Sequence, residues 1–142
     1  MSVAQILAAK GSDVFTVQSG TTVLEVAKAL AEKKIGAAVV LQDDELCGIA
    51  SERDIVRELG KRGAPCLTDE VSALMTAKLI TCTPADQADA VLEKMTEGRF
   101  RHMPVLEDGK MIGLISIGDM VKARLSELAM EKDALQGMIM GH

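Results

Sequence analysis

The seven residues Gly48-Ile49-Ala50-Ser51-Glu52-Arg53-Asp54 recur 65 positions later as Gly113-Leu114-Ile115-Ser116-Ile117-Gly118-Asp119. Both copies keep the polar pattern Gly-x-x-Ser-x-x-Asp. An alignment that extends outward from this motif needs no gap between residues 14–57 and 79–122, and ten of the 44 paired positions are identical. Chance rarely places that many polar matches in one register, so the chain contains an internal repeat.

Each copy predicts the element order β-α-β-β-α. A short β-prone run comes first, and apolar residues at helical spacing follow it. Two apolar strands come next, joined by an acidic four-residue turn whose length suits a β-hairpin. The closing helix is predicted to begin at Ser51 in the first copy and at Ser116 in the second. In the second copy Thr83, Pro84 and Asp86 have the pattern of a helix start, with Thr83 as N-cap.

The repeats are too small to fold separately. One copy has three strands and a single helical layer, which cannot bury both faces of a sheet. We therefore expect an α/β (α+β) fold in which the two repeats pack about a pseudo-twofold axis. The predicted boundaries are 1–66 for the first repeat, 67–127 for the second and 128–142 for a C-terminal helical extension. Short amphipathic leads, around Val3 and around Val71, precede the copies.

The composition argues against several classes of function. Hydrophobic residues make up 48% of the chain, but Phe15 and Phe100 are its only aromatics, so the core is aliphatic. A net charge of −5 and the lack of stacking platforms argue against nucleic-acid binding. Three cysteines provide neither a disulfide framework nor a zinc pattern. His102 has no partner at metal-ligand spacing and His142 is the last residue, so we expect no metal.

The N-terminal sequence lacks the basic and apolar regions of a signal peptide, and no apolar stretch approaches the length of a membrane span. We therefore expect a soluble, cytoplasmic protein without membrane contact.

The repeated Ser-x-x-Asp has two interpretations that do not exclude each other. It is close to a capping box, in which the serine caps the helix and the acid supports its first turn. It also suits ligand binding, because a helix N-terminus attracts anions and a carboxylate one turn in accepts bonds from ribose hydroxyls. The glycine before the serine would let a ligand approach the backbone.

These motifs, together with Arg101-His102-Met103-Pro104-Val105-Leu106, resemble paired cystathionine-β-synthase (CBS) domains, also called Bateman modules. The resemblance covers nearly the whole chain and is greatest to small bacterial proteins that consist of a CBS pair. It implies a non-catalytic sensor of an adenosine ligand, because family members bind AMP, ADP, ATP, NAD or S-adenosylmethionine between their repeats. AMP is the first candidate here.

The resemblance also implies which residues form two ligand clefts, each drawing on both repeats. One cleft would combine Ser51, Arg53 and Asp54 with Thr81, Thr83, Phe100, Arg101 and His102. The other would combine Ser116 and Asp119 with Thr16, Gln18, Ile35, Gly36 and Ala37.

The two clefts differ in charge. Arg101-His102 of the second repeat aligns with Gly36-Ala37, and Arg53 of the first aligns with Gly118. The first cleft would therefore hold phosphate and the second only an adenosine moiety or nothing. The alternative is that Arg53 and Arg101 are solvated charges paired with nearby acids.

An apolar stripe extends along the C-terminal helix beyond the repeat, through Leu125, Leu128 and Leu135. It either packs on its own domain or forms a self-association surface, and the latter predicts a homodimer. The chain shows no nucleophile-base pair, phosphate loop or metal set, so we expect no enzyme. The leading hypothesis is a nucleotide-responsive module that acts on an unidentified protein partner. The competing one is a structural or dimerisation module whose clefts are vestigial.

Overall fold

The computed structural model describes residues 1–139, so the last three positions of the predicted extension, His142 among them, lie outside the described residues. The fold is mixed α+β and consists of two tandem repeats, β-α-β-β in the first and α-β-β in the second, with helices around them. The elements are α1 (Val3–Lys10), β1 (Thr16–Gln18), α2 (Val23–Lys33), β2 (Ala37–Gln42), β3 (Glu45–Ser51), α3 (Glu52–Arg62), 3₁₀ helices at Ala64–Thr68 and Val71–Ala73, α4 (Ala88–Gly98), β4 (His102–Glu107), β5 (Lys110–Ser116) and α5 (Ile117–Ile139).

The chain forms two compact units, and each combines the body of one repeat with the lead segment of the other. Unit 1 contains Met1–Ser12 and the chain from Thr81 onward, whereas unit 2 is Asp13–Ile80. In unit 1 the lead helix α1 joins the second repeat through Val3 and Ala4, whose amides donate to the carbonyls of Asp86 and Pro84 at 2.9 and 3.0 Å. In unit 2 the amide of Val71 donates to the Thr21 carbonyl at 2.7 Å. The repeat boundaries stay a sequence prediction, distinct from these compact units.

Each unit has its own aliphatic core, as the composition predicts. Both predicted leads are anchored in these cores, because Val3 and Val71 are fully buried. The core of unit 1 is built from Val3, Ile6, Leu7, Cys82, Val91, Met95, Met103, Val105, Ile115, Met120 and Ala123. The core of unit 2 is built from Val23, Val26, Leu30, Ala38, Val40, Ala50, Ile55, Val71 and Leu74.

The two predicted β-hairpins are confirmed, and they are equivalent in detail. β2 pairs with β3 and β4 pairs with β5, both antiparallel. The turn residues Asp43 and Asp44, and likewise Asp108 and Gly109, have positive φ, the conformation that two-residue hairpin loops require. Each hairpin also contains a register shift just before the repeated glycine, between Val40 and Leu41 and between Val105 and Leu106.

The first strand differs between the repeats. β1 runs parallel to β2, whereas the second repeat keeps only one parallel bridge, between Cys82 and Val105. In the first repeat the amides of Ser19 and Val39 extend the ladder by donating to Leu41 and Phe15, each at 2.9 Å. The equivalent positions in the second repeat are Pro84 and Pro104, which have no amide hydrogen. The two prolines therefore remove the bonds that flank the bridge.

The predicted start of the second repeat's first helix is wrong. α4 begins at Ala88, with Gln87 as N-cap and no side-chain cap bond. Residues 83–86 form a separate turn, in which the Asp86 amide donates to the Thr83 carbonyl at 3.1 Å and the Asp86 carboxylate accepts from the Thr83 amide at 2.8 Å. Gln87 is held in a bridge with Ser2, so the helix cannot extend back through it.

Candidate functional site

Ser51 and Asp54 form a complete capping box at the start of α3 in unit 2. The Ser51 hydroxyl accepts from the Asp54 amide at 3.2 Å, and the Asp54 carboxylate accepts from the Ser51 amide at 3.0 Å. Asp54 is only 5% exposed, and its second oxygen accepts from Arg57 at 2.7 Å. The capping interpretation of the motif is thereby confirmed, and both carboxylate oxygens already have partners.

Ser116 and Asp119 repeat this geometry at the start of α5 in unit 1. The Asp119 amide donates to the Ser116 hydroxyl at 3.1 Å, and Asp119 Oδ2 accepts from the Ser116 amide at 2.8 Å. The ion-pair partner comes from elsewhere in the chain, because Lys10 Nζ of α1 lies 2.6 Å from Asp119 Oδ2. The same ammonium donates to the carbonyl of Leu114 at 2.7 Å. The carboxylate of the second motif is thus held by the N-terminal helix.

The surroundings of Asp119 keep its carboxylate charged. Burial raises the pKa of Asp119, but the hydrogen bonds from Lys10 and Ser116 outweigh that effect, so the pKa of this carboxyl lies below its ordinary value. The side chain is 21% exposed, so a ligand has some access to it.

Each Ser-Asp motif lies beside the first residues of the preceding hairpin of its own repeat. In unit 1 His102 pairs with Ser116 across β4 and β5, and the Ile117 amide donates to the Arg101 carbonyl at 2.8 Å. In unit 2 Ala37 pairs with Ser51, and the Glu52 amide donates to the Gly36 carbonyl at 2.9 Å. The Arg101-His102 pair is therefore brought together with Ser116, and its small counterpart Gly36-Ala37 is brought together with Ser51.

The remaining predicted site residues lie at several kinds of position. Thr16 and Gln18 are exposed on β1, and Arg53 is exposed in the first turn of α3. Thr81 is half-buried, whereas Thr83 is exposed in the turn before α4. The grouping of Ser51 with Arg101, and of Ser116 with Gly36, draws on both compact units and stays a prediction.

Phe100 is positioned by packing within unit 1. It follows Arg99, which ends α4 in the left-handed conformation, and its amide donates to the Met95 carbonyl at 3.2 Å. The ring packs against the core of unit 1 and covers Gly98, where any side chain would overlap it. This placement explains the glycine at position 98.

A cavity of about 400 Å³ lies between α2 and α3 in unit 2. The predicted site residues Ile35 and Gly36 line it, and most of its other walls are apolar apart from Lys34 and Glu52. This cavity offers an apolar contact surface with one charge of each sign at its edge.

The repeated glycines serve packing rather than ligand approach, which corrects the expectation from the sequence. A Cβ at Gly48 would lie 3.0 Å from the Thr76 carbonyl oxygen and would overlap the Met75 side chain. A Cβ at Gly113 would lie 2.7 Å from Leu7. In both units the lead segment occupies the space that the missing side chain leaves.

Two charged residues at the site were missed by the sequence analysis. Arg57 was detectable in principle, because its i,i+3 spacing from Asp54 places both side chains on one face of a helix. Lys10 had no local signal, since 109 positions separate it from Asp119.

Other chemistry is limited in the described part of the chain. Residues 1–139 contain no group of three or more His, Cys, Asp or Glu side chains that could hold a metal ion. Over the same range, no helix combines the length and apolar character needed to cross a membrane. Cys82 is buried, and burial raises the pKa of its thiol to about 11, so Cys82 is uncharged at neutral pH.

Known proteins with similar sequences and structures share this architecture. The family described as "CBS domain" matches twice, at residues 4–61 and 71–126. The CBS domain-containing protein CBSX3, mitochondrial, of Arabidopsis thaliana is 38% identical over 84% of this chain, which spans 61% of that relative. This chain spans only 23% of a second Arabidopsis thaliana relative, CBS domain-containing protein CBSCBSPB2, at 35% identity over 89% of the chain.

Solved structures agree with the sequence matches. The CBS-domain containing protein ATU1752 from Agrobacterium tumefaciens superposes with a TM-score of 0.85 at 44% identity, covering 87% of this chain and 99% of that one. The CBS domain protein PAE2072 from Pyrobaculum aerophilum, whose crystal structure was solved with AMP, superposes with a TM-score of 0.76 at 28% identity and covers 92% of this chain and 99% of its own. With two family matches and the same fold throughout, the chain belongs to the CBS domain family and carries two CBS domains in tandem.

Proposed function

We propose that this protein is a regulatory module that binds an adenine nucleotide, with AMP as the first candidate, and catalyses no reaction. The observation that carries the proposal is the juxtaposition in unit 1 of two hydrogen-bond donors, Arg101 and His102, with the Ser116-Asp119 motif. This arrangement provides a donor set for phosphate beside a carboxylate for ribose.

Each group in unit 1 has a defined task in this proposal. The carboxylate of Asp119 accepts hydrogen bonds from ribose hydroxyls, and the Ser116 hydroxyl adds a polar contact. The guanidinium of Arg101 binds phosphate through two parallel hydrogen bonds, and a ring N–H of His102 adds a further donor. Arg101 is exposed and His102 is half-buried, so both are within reach of a ligand from solvent.

The corresponding positions in unit 2 provide fewer charges. Gly36 and Ala37 take the place of Arg101 and His102 beside Ser51, and Asp54 is buried. We propose that the motif of unit 2 contributes mainly adenosine contacts, with Arg53 as its one cation in the first turn of α3. The sequence expectation differs, because it groups Arg101 and His102 with Ser51, Arg53 and Asp54 across the repeats and gives phosphate to that cleft. It stays a second placement for the phosphate, which the arginine variants below distinguish from the one within unit 1.

The relative solved with AMP supports a ligand of this class. ATP, NAD(H) and S-adenosylmethionine share the adenosine group and are the other candidates. Calorimetric titration of the full chain with AMP, ATP, NADH and S-adenosylmethionine tests the proposal. Saturable binding of AMP supports it, and no heat from any of the four at millimolar concentration would overturn it.

A second function, a structural or dimerisation module with vestigial clefts, is favoured by one observation. Both motif carboxylates are already satisfied inside their units, Asp54 by Arg57 and Asp119 by Lys10. For this function, thermal melting would show no shift with any nucleotide while light scattering would still show an assembly. For nucleotide sensing, the melting temperature rises with ligand concentration.

The proposal includes a homodimer and an unidentified regulated protein. The surface available for assembly is the exposed apolar part of α5, where Leu125, Leu128 and Leu135 are 62%, 44% and 58% exposed. The cytoplasmic location expected from the sequence also stays a prediction, and the Arabidopsis relative is named as mitochondrial.

A further inference from the structure

The N-terminal helix places a cation against the carboxylate of the second motif. Lys10 belongs to the last turn of α1, and its ammonium bridges the Leu114 carbonyl and Asp119 Oδ2 at 2.7 and 2.6 Å. An ammonium group has three N–H donors. These two bonds use two of them, and in the described part of the chain the third has no protein acceptor.

The position of Lys10 is fixed by contacts other than its own ion pair. The side chains of Val3, Ile6 and Leu7 are buried, and the backbone of α1 is bonded to Asp86 and Pro84. The side chain of Lys10 is 32% exposed, so its ammonium faces a region that solvent and small molecules can enter. The lysine is thus preorganised, and its replacement leaves the anchoring of α1 intact.

Unit 2 has no equivalent cation. The residue aligned with Lys10 is Met75, and the carbonyl of Ile49, which corresponds to Leu114, accepts instead from the Thr76 amide at 2.8 Å. The carboxylate of Asp54 is held by Arg57 of its own helix. Among the described residues, only the carboxylate of the second motif is therefore paired with a cation from a lead segment.

The chemistry of a carboxylate beside a phosphate explains why such a cation matters. An isolated Asp119 carboxylate would repel a phosphate group placed near it, while it would still accept bonds from the hydroxyls of a neutral nucleoside. With Lys10 on Asp119, the pair carries no net charge, and the remaining N–H can bond to an anionic oxygen.

We propose that Lys10 is a specificity-determining residue of the Ser116-Asp119 site, which makes that site prefer the phosphorylated over the unphosphorylated form of an adenosine ligand. This inference rests on the proposed function, because it assigns a role within the same ligand site. Lys10 lies outside both repeated motifs and extends the set of residues that form the ligand site.

The test compares AMP with adenosine on the full chain, using ¹⁵N-labelled protein and the amide resonances of Ser116 and Asp119 as local reporters. Lys10→Met should weaken AMP binding at these reporters by about ten- to a hundredfold, the usual effect of losing a charged hydrogen bond. Adenosine affinity should stay the same or rise. Lys10→Arg should restore the preference for AMP.

Lys110→Met is the matched control, because Lys110 is an exposed lysine at the opposite end of β5 from Ser116, and it should change neither affinity. If the ratio of AMP affinity to adenosine affinity were equal in wild type and Lys10→Met, the role of Lys10 would be overturned and the proposed function would stand. Chemical-shift changes on addition of AMP that are confined to the amide resonances of Ser51 and Asp54 would have the same meaning. No binding of either compound to the wild type would overturn both proposals.

Discussion

The amide nitrogen and the hydroxyl oxygen of Ser51 both lie 3.0 Å from Oδ2 of Asp54. The carboxylate thus closes the first turn of α3 from inside the unit, and its other oxygen accepts from Arg57. A side chain that the sequence suggests as a ligand contact is at the same time part of the folded framework. Removing this side chain therefore affects the stability of the fold as well as any ligand contact it makes.

Asp54→Ala should lower the free energy of unfolding by about 1–3 kcal/mol, because it leaves the Ser51 amide without its acceptor and removes the partner of Arg57. Urea denaturation of the variant checks this. Asp13→Ala is the control, an exposed aspartate outside any helix or strand, and should change stability by less than about 0.5 kcal/mol. An unchanged denaturation midpoint for Asp54→Ala would contradict the prediction.

Arg101→Ala should weaken AMP binding by about tenfold or more and leave adenosine affinity nearly unchanged, since the guanidinium is proposed to contact only phosphate. Calorimetry with both compounds measures this. Arg53→Ala is the informative companion. A similar loss would support one cleft that contains both arginines, whereas an unchanged AMP affinity would restrict the phosphate contacts to unit 1. Equal losses of AMP and adenosine in Arg101→Ala would contradict the assignment.

The ion pair between Lys10 and Asp119 should make stability depend on pH in a defined direction. The pKa of Asp119 in the folded protein lies below its ordinary value of 3.8, so the carboxylate stabilises the fold fully above that value. The contribution is lost as the pH falls through the lower, folded-state pKa. The stability difference between wild type and Asp119→Asn, measured in urea, should be constant from pH 7 to pH 5 and shrink below pH 3.8.

Asp13→Asn serves as the control for that experiment, because Asp13 is exposed and has no ion pair in the described structure. Its stability difference from wild type should stay near zero at every pH. A wild-type advantage over Asp119→Asn that is the same at pH 7 and pH 3 would show that the ion pair does not stabilise the fold.

Cys82 should resist alkylation at pH 8, because burial raises the pKa of its thiol to about 11 and only the thiolate is nucleophilic. Cys66 is also buried, whereas Cys47 is half-exposed. Iodoacetamide in the native protein should therefore modify Cys47 first, as mass spectrometry of peptides would show. Early modification of Cys82 would mean that the segment around its bridge to Val105 opens readily in solution.

The exposed leucines of α5 should support a dimer. The double variant Leu128→Glu/Leu135→Glu should be monomeric by light scattering at tens of micromolar, because the substitutions put two charges on one face of the helix. Substitution is preferable to truncation, since Ala123 is buried and Glu127 pairs with the N-terminal amine at 3.0 Å. Ser126→Glu, an exposed change on the opposite face of the same helix, should leave the assembly intact. A wild-type protein that is monomeric at this concentration would contradict the dimer prediction.

The sequence by itself determined the tandem repeat, the family, both hairpins and the capping box. These features depend on residues that are close in the chain, and local spacing encodes them. The sequence also contains the cause of the difference between the first strands, because Pro84 and Pro104 align with Ser19 and Val39. The effect of these prolines became visible only in the structure, where the amides of Ser19 and Val39 donate to the strand ladder.

Tertiary structure decided which segment packs on which repeat, where α4 begins and what occupies the motif carboxylates. Local propensity favoured Thr83 as a helix start, but the bridge between Gln87 and Ser2 overrode it. The pairing of Lys10 with Asp119 joins residues 109 positions apart, and no periodicity relates them. Only the packing of α1 onto the second repeat brings the two charges together, because the burial of Val3, Ile6 and Leu7 fixes where that helix lies.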